Sequence, residues 1–560
     1  MEKSTDILFL ERTRCGEQDE RDLAGQTSGG HLFHHPSAHI WRRDGTEYRG
    51  KEAGTVGFFG RKKIEVPPHP RQDPRIQGPL TMETMEQVFS GCVDFAKRPV
   101  ALGGAQGQTA TLCYLSGMVK MERVSDYILR PMAQDRDLGA CPQSQAVDRI
   151  LEGALYNLLV VERTTADQGV FDLINGWCLL FFPKCGRVLS FLVQTEEKRS
   201  ISASENEPPL KGPRDSFVES IRTNTSLLRR RVRSPGLRIK ELLVGRQTVT
   251  PVDIVWIDGL TNPETVEAVE RRIADMDIDA LIATGNLEEY IADDIRTAFP
   301  TLSCTERPDR FSAGVVEGRV GVLVDGLPLG WLLPGTLSQF FKTPQDKSQS
   351  WLAASALTVL RYLCMLTTLF LPAAYIAAVT FHLEMLPTKL ALSIISAKQD
   401  VPFTTVFEVL LMLIAFEIIQ EAGLRLPSSI GQTVSILGGL VVGSAAVEAR
   451  IVSPAVLIAV AVAGIAGYTM PSQDFASALR IWRFALAVLA ALAGMFGVAA
   501  GGLLLICHLA SLESFGVAYL TPFAAGDGEQ VEGHTVLRQP LPWVKLREAA
   551  LKTQNRRNQR

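Results

Sequence analysis

The chain has 560 residues, 46% hydrophobic and 21% charged, with a formal net charge of −3 at pH 7. That length is too great for one core and leads us to expect two or three domains. The near-neutral balance supplies no concentrated basic face, so nothing points to nucleic acid as a partner. The mean hydropathy of +0.12 averages two unlike stretches: charge is dense from Met1 to about Ser350 and almost vanishes from Trp351 to Leu512.

The first residues, MEKSTDILFLERTRCGEQDE, set acids around a very short apolar run and do not read as a secretory signal. Membrane insertion is then expected to be directed by later spans. Residues 1–78 mix Gly, His, Arg and Pro without periodicity and read as a disordered extension. The extension holds His31, His34, His35 and His39, but no carboxylate or thiol accompanies them at helical spacing, so no metal site is expected. The nine cysteines form no CxxC pair, which leaves reduced thiols rather than a zinc ribbon or a redox motif.

Residues 79–200 read as a first α/β subdomain. TMETMEQVFSGCVDFAKRPV has the pattern of an amphipathic helix and TATLCYLSGMV that of a strand ending in a turn. MERVSDYILRPMAQD reads as a second helix. AVDRILEGALYNLLVVE reads as a third, with Ile150, Leu151, Leu155 and Leu158 on one face. WCLLFF and RVLSFLV are short buried strands around the turn PKCG. A polar, Pro-bearing linker over 201–212 follows.

A second α/β subdomain is expected over 213–345. DSFVESIRTNTSLLRRRV reads as a helix, LRIKELLVG and PVDIVWIDGL as strands, and NPETVEAVERRIADMD as a helix opened by Asn262 and Pro263. ALIATG, EEYIADDIRTAF and RVGVLVDGLPLGWLLP complete the unit. The helix-and-strand plan recurs without a clear sequence repeat. Arg229, Arg230, Arg231 and Arg233 form a run that offers either a patch for an anionic partner or membrane lipid, or a salt-bridged helix face.

The fold class is therefore multi-domain, with two small cytoplasmic α/β subdomains followed by an α-helical transmembrane bundle at 351–512. Apolar spans fall near Leu352–Phe381, Val401–Gln420, Thr433–Val447, Pro454–Met470 and Ile481–Leu512. Lys342 and Lys347 precede the first span, and a basic tail at 513–560 follows the last, so both termini are expected to be cytoplasmic. That requires an even number of crossings. Four is the expectation, with Val401–Gln420 not fully spanning; six requires a hidden break in a long span.

Acids in lipid are costly and point to a wet cavity, a partner or an interface. Glu408 and Glu417 are nine positions apart and share no narrow stripe, whereas Glu417 and Glu421 do; Glu448 ends the third span beside Arg450. These acids are candidates for lining an ion path. Gly439 and Gly443 form GxxxG, and Gly494, Gly497 and Gly501 lie along one side of the last span, as close helix packing requires. No P-loop, GxGxxG, HExxH, GxSxG or kinase signature is present, so neither catalysis nor a cofactor is expected.

From about Gly212 to Phe523 the chain strongly resembles the A subunits of spore germinant receptors, the GerA family. The resemblance is carried by GPRDSFVESIRTNTSLLRRRVRSPGLRIKELLVGRQTVTPVDIVWIDGLTNP, TERPDRFSAGVVEGRVGVLVDGLP, LPAAYIAAVTFHLEMLPTKLALSIISAKQDVPF, EVLLMLIAFEIIQEAGLRLPSSIGQTVSILGGLVVG and SLESFGVAYLTPFA. Residues 80–200, with YILRPM, are similar to the family's more variable first subdomain, and the long N-terminal extension departs from the pattern. The resemblance implies a subunit of the spore inner membrane working with a transporter-like B subunit and a lipoprotein C subunit. It further implies a homo-oligomer around a pore, gated by nutrient and releasing monovalent cations to start germination. A related family member encoded with the dipicolinate-release proteins, which amplifies germination, shares this architecture. A secondary transporter is the other class, for which inverted hydropathy repeats are absent.

Overall fold

The computed structural model describes residues 76–103, 108–155, 159–194, 207, 212–425, 443–521, 523 and 537–558. Most of the expected extension, nearly all of the 201–212 linker, Leu158, Gly439 and most of the Thr433–Val447 span lie outside the described residues.

The first subdomain is built on strands β1 Phe95–Ala101, β2 Thr109–Leu115, β3 Val160–Arg163, β4 Trp177–Phe182 and β5 Arg187–Leu192, in the order β1-β2-β4-β5-β3. The second uses β6 Leu237–Val244, β7 Thr250–Ile257, β8 Ser303–Thr305, β9 Val320–Val324 and β10 Gly330–Leu333, in the order β6-β7-β9-β10-β8. Every strand pair is antiparallel, which corrects the α/β expectation to α+β. The two orders are the same permutation of five strands, so the subdomains repeat one topology that the sequence does not display.

Helices cover both faces of each sheet. Along β4, Cys178, Leu180 and Phe182 face one apolar cluster while Leu179 and Phe181 face the other. A sheet buried on both sides needs apolar residues at every position, which is why these strands read as continuous runs rather than alternating ones. In the first subdomain, α1 Met82–Val88 and α2 Ala166–Ile174 share one face. In the second, α3 Ile221–Arg231 and α5 Pro308–Glu317 cover one face and α4 Pro263–Ala274 the other.

Three expected helices are shortened. The helix expected over residues 81–100 stops at Val88, and Phe95–Ala101 is a strand. Gly91, at φ 73°, turns the chain there, and the Lys97-Arg98-Pro99 run belongs on an exposed sheet edge. The helix expected over 146–162 ends at Ala154, just after Gly153 at φ 105°, and Val160–Arg163 is the edge strand β3. Leu151 is therefore exposed while Ile150 and Leu155 are buried. The helix expected from Asp215 begins at Ile221.

The C-terminal helices are α6 Trp351–Thr380, α7 Thr388–Lys398, α8 Thr405–Arg425, α9 Pro454–Gly467 and α10 Gln473–Ser511. All but α7 pack around one apolar cluster that includes Leu369, Ile376, Val409, Leu413, Val460, Leu486 and Ala490. By length and composition, Trp351–Thr380 and Gln473–Ser511 could each cross a membrane. However, the second is not straight. At Gly494 the backbone takes φ 59° and ψ −138°, a region open only to glycine. Beyond it the chain doubles back: the Trp482 and His508 rings lie 5.7 Å apart, where a straight helix holds residues 26 apart at about 39 Å. Thus α10 is a hairpin of two arms that turns at Gly494.

Both ends of this helical unit meet the second subdomain. Phe299, Phe340 and Phe341 stack with Tyr362 of α6, Phe475 and Trp482 of the first α10 arm, and His508 of the second. Arg361 of α6 bonds both oxygens of Asp346, at 2.7 and 3.0 Å. The segment after α10 docks there too, with Leu337 N–H donating to Tyr519 O at 2.8 Å and Ser514 Oγ donating to Thr301 O at 2.8 Å. The first and last of these helices thus meet the second subdomain at the same end of the helical unit.

Candidate polar sites in the apolar bundle

Charges inside an apolar helical unit must be paired or hydrated, so the bundle's acids locate its candidate site. Helix α8 carries two of them, and the structure sends them to opposite ends. Glu408 lies in its first turn and is fully buried. Its Oε2 accepts the Ser453 N–H at 2.8 Å. Ser453 is the N-cap of α9, and Pro454 follows at the first helical position. A carboxylate here neutralises the unpaired amides and partial positive charge of a helix start. Lys398, the last residue of α7, places Nζ 3.7 Å from Glu408 Oε1 and also contacts Thr405 Oγ. Glu408 therefore ties α7, α8 and α9 together at the end remote from the sheets.

Glu417 lies near the sheet-side end. Arg480 reaches one of its oxygens at 3.2 Å and Arg483 contacts the other. The two arginines are one turn apart on the first arm of α10, so both reach the same carboxylate. Arg483 is 2% exposed, against 23% for Glu417 and 25% for Arg480. Arg480 also donates to Ser477 Oγ at 2.6 Å. Both arginines went unremarked in the sequence, although R-x-x-R at the head of an apolar run is the kind of charge that needs a buried partner.

Glu448 is exposed and joins neither group. Its neighbour Arg450 pairs with Asp400 at 3.1 Å. The structure thus brings none of Glu408, Glu417 and Glu448 together. Gly443 packs on α9, where an added Cβ would lie 3.3 Å from Leu457. Gly497 and Gly501 line the inside of the α10 hairpin: an added Cβ at Gly497 would come within 2.0 Å of Leu489 O, and one at Gly501 within 2.6 Å of Leu486. Gly494 closes against Phe381.

The arginine run divides. Arg229 is not on a surface patch: it is buried, with Nε and Nη2 on Asp94 at 2.7 and 3.0 Å and Nη1 on Leu237 O at 2.8 Å. Asp94 belongs to the first subdomain, so this pair is a bolt through the joint between the sheets. Val93 N–H adds a bond to Ile239 O at 2.9 Å across the same joint. Arg231 pairs with Asp215 at 2.5 Å, and Arg233 donates to Asn175 Oδ1 at 3.1 Å. Arg230 is half-buried beside them.

With the geometry in place, comparison with known proteins gives the chain its relatives. A model of the Bacillus/Clostridium GerA spore germination protein family matches residues 83–550. The chain is 35% identical over 466 residues to spore germination protein B1 of Bacillus subtilis, covering 83% of this chain and 95% of that protein. It is 35% identical over 450 residues to spore germination protein KA of the same organism, covering 80% and 82%. It is 36% identical over 451 residues to the B. subtilis membrane protein YfkQ, covering 80% and 87%. Among solved structures, the N-terminal domain of the A subunit of the Bacillus megaterium spore germinant receptor GerK3 matches 45% of this chain and 92% of its own length, with 27% identity and a TM-score of 0.36.

Proposed function

The chain belongs to the GerA family of spore germination proteins, and from that premise we propose that it is the A-type subunit of a germinant receptor. In this reading it sits in the spore inner membrane and works with a transporter-like B subunit and a lipoprotein C subunit. It oligomerises through its helical bundle and releases monovalent cations when nutrient is sensed. The single observation that carries the reading is the match over residues 83–550, which spans both sheet subdomains and the bundle together.

Three features of the molecule support it. The bundle is apolar, enters and leaves at one end, and places both sheet subdomains and the C-terminal segment at that end, as a multi-pass protein with a cytoplasmic N-terminal part would. The three acids, as candidates for an ion pathway, take separate places: Glu448 is exposed, Arg480 and Arg483 join Glu417 of α8 to the hairpin, and Glu408 holds the remote end. The aromatic stack at Phe299, Phe340 and Phe341 couples the second subdomain to both arms of the hairpin and to α6.

The test is potassium release from spores in which this chain alone has been deleted, presented with a panel of nutrients. Loss of the response to at least one nutrient, restored by the intact chain, supports the receptor reading. Unchanged release to every nutrient, with the B and C subunits present, removes it.

A further inference from the structure

The joint between the sheet subdomains holds more carboxylate than it pairs. Asp253 lies in the middle of β7 and is fully buried, and neither of its carboxylate oxygens has a hydrogen-bond partner. An ionised carboxylate so placed is strongly disfavoured. Directly opposite on β6 is Glu241, paired with Arg222 of α3 at 2.5 Å. After β9, Asp325 accepts the Ile221 N–H at the start of α3 at 3.0 Å. On β9 the facing residue is Leu323, and α5 turns Phe311 and Val315 to this side while Arg307 engages its Asp309. From the first subdomain comes Asp94, bound to Arg229 of α3. Around Asp253 the carboxylates of Glu241, Asp94 and Asp325 stand against the guanidinium of Arg222, so with Asp253 ionised negative charge is in excess.

Helix α3 is held from both sides. Beneath it lies the β7 face; above it the Gly117 turn of the first subdomain sits so close that an added Cβ would be 3.1 Å from Ser226 and 3.2 Å from Arg222 O. Any movement that lets water reach Asp253 under α3 therefore also disturbs the Asp94–Arg229 bolt.

We propose that Asp253 is a proton-operated switch in this joint. With its carboxyl neutral, α3 stays closed over β7 and against the first subdomain; with the proton lost, α3 opens and the joint loosens. Burial, with Glu241, Asp94 and Asp325 adding to it and Arg222 opposing, pushes the Asp253 carboxyl up to about 7, from about 3.9 for a hydrated aspartate. The closed state thus holds a proton that the open state releases between those values. Closure is complete below about pH 4 and is lost as pH rises through 7, by up to about tenfold per unit, and is level above that. This assignment does not depend on ion conduction.

Amide hydrogen exchange on the full chain in detergent tests it. After correction for intrinsic exchange, opening of Ile221–Arg231 is expected to rise about 25-fold between pH 5.5 and 7.5 in the wild type. Asp253→Asn and Asp253→Val, one polar and one apolar, should each hold α3 level within about twofold over the same range; one folded variant suffices. A level wild type, or a variant that keeps the wild-type rise, overturns the switch.

Discussion

Replacing Glu417 with Gln removes the anion from between two guanidinium groups while keeping the shape of the side chain. Arg483 is 2% exposed and loses its carboxylate, so it becomes an uncompensated buried charge held beside Arg480. Breaking a buried pair from one side costs about 3–5 kcal/mol. Glu417 and Arg480 keep about a quarter of their surfaces exposed, so the lower end applies: about 3 kcal/mol, or roughly 150-fold in the folding equilibrium. The assay is unfolding of the purified chain in one detergent for Glu417→Gln, Arg483→Gln and the double variant. Because the double variant removes both charges, it should recover a coupling of about 1–3 kcal/mol relative to the summed singles. Arg480→Gln should cost less than Arg483→Gln, since Arg480 is the more hydrated of the two. A Glu417→Gln chain within about 0.5 kcal/mol of wild type, with no coupling to Arg483, would refute the argument that this acid is the arginines' counter-charge. Potassium release from spores carrying the same variants then separates a role in conduction from one in assembly.

Three further outcomes follow. Cysteines in place of Trp482 and His508, in a chain otherwise free of thiols, should be joined by a short bifunctional reagent; no crosslink would mean that α10 runs straight through Gly494. Arg229→Ala strands Asp94 inside the joint and should cost about 3–5 kcal/mol; the readout is faster protease cleavage between the sheet subdomains, and unchanged cleavage counts against the bolt. Arg556→Cys should resist an impermeant thiol reagent applied outside intact cells and react after permeabilisation, because the described C-terminal segment docks with the sheets; labelling in intact cells places that end outside.

Much of the secondary structure was legible in the sequence because it rests on local rules. Asn262 caps the helix that Pro263 opens, with its side chain accepting the Glu264 N–H at 3.2 Å. WCLLFF and RVLSFLV are strands because a sheet buried on both faces has no polar side. Two of the three misread helices share one cause. Residues 81–100 and 146–162 hold enough apolar residues at helical spacing to pass for helices, and only the positive φ at Gly91 and Gly153 shows that the chain turns and continues as an edge strand. Helix α2 Ala166–Ile174 is faint in the sequence as well: its buried face includes Gly169, against which Leu80 packs so tightly that an added Cβ would lie 2.5 Å away. A small residue on a core face weakens the very pattern by which a helix is found.

The candidate site was legible in part, and the division is instructive. The cost of charge in an apolar span singles out Glu408 and Glu417, but not what answers them. Their partners come from far along the chain: Ser453 is 45 residues beyond Glu408, and Arg480 and Arg483 are 63 and 66 beyond Glu417. The same holds for Arg229, whose partner Asp94 is 135 residues earlier; a run of arginines shows its charge in sequence but not which member points inward. Gly494 shows how local chemistry and topology meet. Its neighbours Gly497 and Gly501 read as a packing stripe for some other helix, yet the surface they fit is the earlier half of their own. Once that hairpin is recognised, the arms of α10 become a pair that begins and ends beside Phe299. The second subdomain then touches both, and Trp482, against which Phe299 stacks, stands one residue from Arg483 of the Glu417 pair.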